Sequence, residues 1–113
     1  MISSHTFRDE VELQLEVDIL NFGWLRQIAE RDYGHKVGAE SNRAVFDLVQ
    51  ALVGLGIALV GSARNDGERV LIHPWHERGE ALREKLGREV NGASPKDRDW
   101  VFCLQLAKHY NRK

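Results

Sequence analysis

The chain is short, mixed in composition and almost neutral, and these properties restrict what it can be. Its 113 residues are 42% apolar, which fits one compact domain over residues 1–113 that folds without disulfides or metal. A formal net charge of −1, from 16 basic and 17 acidic residues, gives no overall attraction to nucleic acid. A single cysteine excludes an internal disulfide, and the Met-Ile-Ser-Ser-His start does not resemble a signal peptide, so we expect a cytoplasmic protein.

Residues 8–20 have two competing periodicities. Alternating apolar residues predict a half-buried strand; they are Val11, Leu13, Leu15, Val17 and Ile19. A second set recurs at helical spacing; it consists of Leu13, Val17, Leu20 and Trp24. We favour a helix because helices follow in the chain, and the strand stays open as the alternative.

The next two segments predict helices. The first runs from Trp24 to Tyr33, with Gly34 as its stop. The second is the clearest helix of the chain: Ser41 is its candidate N-cap, and Gly54 and Gly56 end it. Its predicted buried stripe contains Val45, Leu48, Val49 and Leu52.

Residues 57–73 predict a β-hairpin, because two runs rich in β-branched residues flank the turn sequence Asn65-Asp66-Gly67. Beyond Pro74-Trp75, a helix with a narrow apolar seam is predicted, ending at Asn91-Gly92. The seam consists of Leu82, Leu86 and Val90. Ser94-Pro95-Lys96-Asp97 resembles a helix start, so we expect a last helix. It would carry Trp100, Val101, Leu104 and Ala107.

Short motifs along residues 13–105 add to this order of elements. They are Trp24, the helix end Leu48-Val49-x-x-Leu52-x-x-x-Gly56, Pro74-Trp75, Glu80-Ala81-Leu82 and Asp99-Trp100-Val101. The chain resembles the winged-helix superfamily, and within it small actinobacterial-type proteins of unassigned role. The resemblance implies an α+β, mostly helical fold: a three-helix core, a β-hairpin wing and additional C-terminal helices. Leu106-Ala107-Lys108-His109 departs from the family, in which Thr-x-x-Gly is expected.

Winged-helix proteins often bind DNA through the third helix and the wing, and four residues are candidates for that role here. Arg43 and Gln50 would face the major groove, and Arg64 and Arg69 would contact phosphates. Acidic neighbours oppose this interpretation; they are Asp47 on the helix and Asp66 and Glu68 at the wing tip. A solvated surface is therefore the favoured interpretation of the four residues.

The remaining chemically distinctive residues have structural interpretations. His73-Pro74-Trp75-His76, Cys103 and His109 lack the ligand spacing of a zinc site, so we expect no metal and no cofactor. Cys103 fits a small buried hydrophobe. The three tryptophans, at positions 24, 75 and 100, fit the core, whereas one exposed beside Phe22 or Phe46 would indicate an interaction patch.

No acid and base at a meaningful spacing can be named, so the sequence does not predict an enzyme. Two hypotheses remain: a non-enzymatic protein-interaction or regulatory module, and a DNA-binding transcriptional regulator. Charge is uneven, with a net −4 over residues 1–34 and +3 over residues 77–113; this polarity suits a head-to-tail dimer or a charged partner, but a solvated face is the favoured interpretation. Separately, we expect a homodimer formed through the terminal helices. The longest apolar run, residues 51–61, is far shorter than the ~20 residues that span a bilayer, so no membrane partner is expected.

Overall fold

A computed structural model describes residues 5–67 and 69–110; for residues 65, 66 and 69 it describes the backbone only. The described chain is α+β, with four α-helices and one four-stranded antiparallel sheet. The helices are α1 (Phe7–Leu15), α2 (Phe22–Tyr33), α3 (Ala39–Gly54) and α4 (Gly79–Gly92). The strands are β1 (Leu20–Asn21), β2 (Ala58–Asp66), β3 (Arg69–Pro74) and β4 (Cys103–Leu106). Short 3-10 helices span Arg98–Trp100 and Ala107–His109.

The helix over residues 8–20 is confirmed in type but is shorter than expected. α1 begins at a capping box, in which the Thr6 hydroxyl accepts from the Asp9 N–H and the Asp9 carboxylate accepts from the Thr6 N–H. It ends at Leu15, so the expected seam through Leu13 and Val17 is wrong. Val11 and Leu15 are buried instead, while Leu13 and Val17 are 61% and 85% exposed.

The second and third helices are confirmed, with one change of cap. Gly34 ends α2 in the left-handed conformation, with φ of 72°. α3 begins before the predicted N-cap: Gly38 occupies that position and Ser41 lies in the first turn. The Ser41 hydroxyl accepts from the Gly38 N–H at 3.2 Å and donates to the Glu30 carboxylate at 2.7 Å. It therefore links the start of α3 to α2.

The hairpin is confirmed, and its turn lies one step later than predicted. β2 pairs with β3 from Gly61↔Pro74 to Asp66↔Arg69, so the connection begins at Gly67, with φ of 71°. Gly61 is required for a different reason. A Cβ there would lie 2.1 Å from the His73 carbonyl oxygen, so only glycine permits this approach of the two strands.

The predicted last helix is wrong. Ser94 and Asp97 form a turn, in which the Asp97 N–H donates to the Ser94 carbonyl at 3.0 Å, and the chain then forms β4. The sheet order is β1-β4-β2-β3, so β4 fills the gap between β1 and β2. It pairs with both, through Leu20↔Leu104 and Val60↔Leu104 among others. One C-terminal α-helix, α4, therefore follows the hairpin in the described chain, where more were expected.

The core lies between the helices and the sheet. The predicted stripe of α3 and the predicted seam of α4 are buried. Two phenylalanines join the layers, because the rings of Phe22 on α2 and Phe102 beside β4 lie 5.2 Å apart. Trp75 meets Phe102 edge-on at 6.1 Å and donates its indole N–H to Ser62 at 3.0 Å.

Candidate interaction site

The three tryptophans do not share one environment. Trp75 is buried, as expected, but Trp24 and Trp100 are 44% and 53% exposed, so their assignment to the core is wrong. Large aromatic side chains bury much area when they are covered, and exposed ones often mark binding surfaces. The two exposed indoles therefore indicate a candidate site.

Trp24 and Trp100 line one groove of about 410 Å³. Its other walls are Gln14 and residues 17–21, which connect α1 to α2 through β1. We call it the Trp24–Trp100 groove. It forms because α1 stops at Leu15, so the connection to the edge strand β1 leaves Val17 facing solvent.

Hydrogen bonds position the Trp24 wall. The Trp24 indole N–H donates to the Gln14 side-chain oxygen at 2.6 Å. Its backbone N–H donates to the Asn21 side-chain oxygen at 2.7 Å, which is the N-cap of α2. The Trp24 backbone and its indole are thus each held by one hydrogen bond, and a ligand would find the ring already oriented.

Contacts between the Arg98–Trp100 helix and α2 position the Trp100 wall. Asp99 lies 3.7 Å from the Arg26 guanidinium and packs on Gly23, where a Cβ would lie 2.3 Å from the Asp99 carboxyl carbon. The Trp100 N–H donates to the Asp97 carbonyl at 3.1 Å. Glycine at position 23 therefore lets the segment that carries Trp100 lie against α2.

One ionisable side chain, Asp18, lines the groove. Its carboxylate accepts from the Ile19 N–H at 2.8 Å, and it forms no ion pair with any residue between positions 5 and 110 that the structure describes. Nearby Glu16 is neutralised by Lys108 at 3.1 Å. The groove thus combines apolar walls with one unpaired carboxylate.

The four candidate DNA-contact residues differ in exposure and in hydrogen bonding. Arg43 on α3 and Arg64 on β2 are exposed. Gln50 is half-buried, donating to the Gly79 carbonyl at 3.1 Å and accepting from Arg83 at 3.0 Å. The Arg69 side chain lies outside the described structure, as do those of Asp66 and Glu68.

Asp47, the acidic residue expected on the exposed face of α3, is paired with Arg83 of α4. The same guanidinium reaches Gln50, so α4 occupies part of the α3 face that was assigned to the major groove.

The histidine and cysteine residues do not converge. The described part of the chain contains no group of three or more potential metal ligands. His73 and His76 are exposed, whereas Cys103 is fully buried, as its assignment as a small hydrophobe predicted. Burial raises the pKa of the Cys103 thiol to about 12.

Comparisons with known proteins found no significant match. No protein-family model matches the chain, and neither a curated protein nor a solved structure matches it significantly. No helix in the described ranges is long and apolar enough to cross a membrane.

Proposed function

We propose that the protein is a non-enzymatic interaction module that holds an extended segment of a partner protein in the Trp24–Trp100 groove. The observation that carries the proposal is the exposure of two tryptophans that line the same groove. Tryptophan dominates the binding energy of many protein interfaces because it buries a large area with few rotatable bonds.

The size and rigidity of the groove support this role. Its volume lies within the roughly 300–1,000 Å³ that is usual for ligand sites. The hydrogen bond from the indole to Gln14 orients the Trp24 ring before any ligand arrives, so less side-chain entropy remains to be lost on binding. A single lining carboxylate, Asp18, is not an acid–base pair, which favours binding over catalysis.

A selection from displayed random peptides tests the proposal. The full chain would be the bait, and Trp24→Ala and Trp100→Ala variants would serve as counter-selections. Leu55→Ala is the matched control, because Leu55 is 63% exposed but does not line the groove. We expect peptides that bind the wild type and Leu55→Ala and that lose at least about tenfold in affinity with either tryptophan variant.

Two outcomes would contradict the proposal. One is that no peptide is enriched; the other is that the enriched peptides bind the tryptophan variants as well as the wild type. A second copy of the chain is the competing occupant. Light scattering would reveal it as a dimer that Trp100→Ala converts to a monomer.

We also propose that the fold is a winged helix. Three helices followed by the β2–β3 hairpin agree with the expected order. The central strand β4 is an addition to the predicted elements.

DNA binding is the second candidate function, favoured by one observation: Arg43 and Arg64 are exposed and have no ion-pair partner among the described residues.

A further inference from the structure

We propose that the segment held in the Trp24–Trp100 groove carries a basic side chain, lysine or arginine, flanked by apolar residues. The cation would contact the exposed indole faces of Trp24 and Trp100 and the carboxylate of Asp18. This inference rests on the proposed function and specifies the chemistry of its ligand.

The first argument is that cations lie over other aromatic rings of this protein but not over Trp24 or Trp100, among the described residues. Three of them have a cation over the ring: Arg26 over Phe22 at 5.8 Å, Arg83 over Phe46 at 5.6 Å and Lys85 over Trp75 at 4.7 Å. In the described structure no cation lies over Trp24 or Trp100, although indole binds cations best of the aromatic side chains. Both exposed rings thus retain their capacity for a cation.

The second argument is charge. Asp18 is exposed and is the only ionisable side chain of the groove lining, so the lining itself is negative. Other carboxylates of the same region have intramolecular partners, because Glu12 pairs with Arg8 at 2.7 Å and Glu16 with Lys108. A second, smaller pocket beside Trp24 is lined by one cation and one anion, Arg31 and Asp32, so its lining has no net charge. The unpaired Asp18 therefore favours a cationic ligand.

The third argument is the apolar part of the lining. Val17 and the half-buried Ile19 add aliphatic surface beside the two indoles, and Val17 is almost fully exposed. Lysine and arginine carry long aliphatic stems that cover such surface while the charged end reaches a carboxylate. A purely apolar segment would cover the walls but would leave the Asp18 charge facing it without a countercharge.

The test uses two matched probes, N-acetyl-Leu-Arg-Leu-amide and the same peptide with citrulline, which has nearly the shape of arginine without its charge. Binding would be followed by NMR through the indole N–H signals of the three tryptophans. Trp75 is an internal control, because it is buried and bonded to Ser62. We expect the arginine peptide to shift the Trp24 and Trp100 signals, to leave Trp75 unchanged and to bind about tenfold more tightly than the citrulline peptide.

Asp18→Asn keeps the size of the side chain and an oxygen able to accept from the Ile19 N–H, so the fold should be retained. We expect it to remove most of the preference for arginine over citrulline. Asp32→Asn is the matched control, because Asp32 is an exposed carboxylate that also lies beside Trp24 but does not line the groove. It should leave the preference nearly unchanged.

The outcomes separate this inference from the proposed function. Equal binding of the two peptides overturns the basic ligand and leaves the groove as an interaction site. The same holds if the selected random peptides bind through the tryptophans but are not enriched in lysine or arginine. A preference that survives Asp18→Asn overturns the contact assigned to the Asp18 carboxylate. If neither peptide shifts the Trp24 and Trp100 signals, the basic ligand is also overturned, and the peptide selection then decides the proposed function independently.

Discussion

At the scale of one residue, burial of Cys103 determines the reactivity of its thiol. Its thiol is fully buried on the central strand β4, and desolvation raises its pKa from 9.0 to about 12. Because the thiolate is the reactive form, the native protein should resist thiol reagents at pH 8 and react after denaturation in guanidinium. Rapid labelling of the native protein would contradict this burial.

The same pKa shift predicts a dependence of stability on pH. Between pH 9 and about 12 the unfolded chain releases the thiol proton while the native chain retains it. The unfolded state then binds fewer protons, so the free energy of unfolding falls as the pH rises through this range. Cys103→Ala should show a smaller fall than the wild type in urea denaturation, since other groups that titrate there are common to both proteins.

Ser41 is the buried polar residue that joins two helices. Its hydroxyl donates to the Glu30 carboxylate and accepts from the Gly38 N–H. Ser41→Ala removes both hydrogen bonds. We expect a cost of about 1–3 kcal/mol in the free energy of unfolding, measured by urea denaturation. The exposed Ser94, whose hydroxyl donates to the nearby Asp97 carboxylate, is the control, and Ser94→Ala should cost less than about 0.5 kcal/mol. Equal effects would disprove the role assigned to Ser41.

At the scale of elements, the sequence predicted what local patterns determine. The α3 stripe, the α4 seam and the Gly34 stop are confirmed because apolar spacing and a left-handed glycine act within one helix. β4 was missed because Val101-Phe102-Cys103-Leu104 is a continuous apolar run. Such a run fits a buried helix or a strand with neighbours on both sides, and only the pairing with β1 and β2 decides between them.

The candidate groove could be predicted only in part. Three tryptophans in a small domain suggested either core or an interaction patch, but burial depends on contacts between distant segments. Trp100 is exposed because it lies on a short 3-10 helix ahead of β4 and not on the apolar face of a long helix. Val17 and Asp18 reach the groove because α1 ends at Leu15, and no strong stop signal marks that position in the sequence.

The β2–β3 pairing gives a prediction about glycine. Gly61→Ala places a methyl group against the His73 carbonyl, so the strands must separate, and we expect a loss of about 1–3 kcal/mol in stability. Gly87, within α4, has open space around its Cα and no positive φ, so Gly87→Ala should add about 0.4–1 kcal/mol. Thermal denaturation of both variants beside the wild type measures the contrast. A neutral Gly61→Ala would show that the strands lie farther apart.

At the scale of the whole molecule, charge discriminates between the two candidate functions. A net charge of −1 offers little counterion release, and α4 already engages Asp47 and Gln50 on the α3 face. We therefore expect no change in the fluorescence anisotropy of labelled random duplex DNA at low salt. An increase that disappears at high salt and weakens in Arg43→Ala or Arg64→Ala would favour the DNA-binding regulator instead.

The position of β4 also bears on how the chain reaches its native state. β1 and β2 are not paired with each other, and the strand that joins them follows both by a long stretch of chain, as the pairs Leu20↔Leu104 and Val60↔Leu104 show. The β2–β3 hairpin can form early through local contacts, but the sheet is complete only after the ends of a long loop have met. Closure of that loop is the step at which we expect the folding rate to be set, and until then the edge of β2 stays open to pairing with other chains.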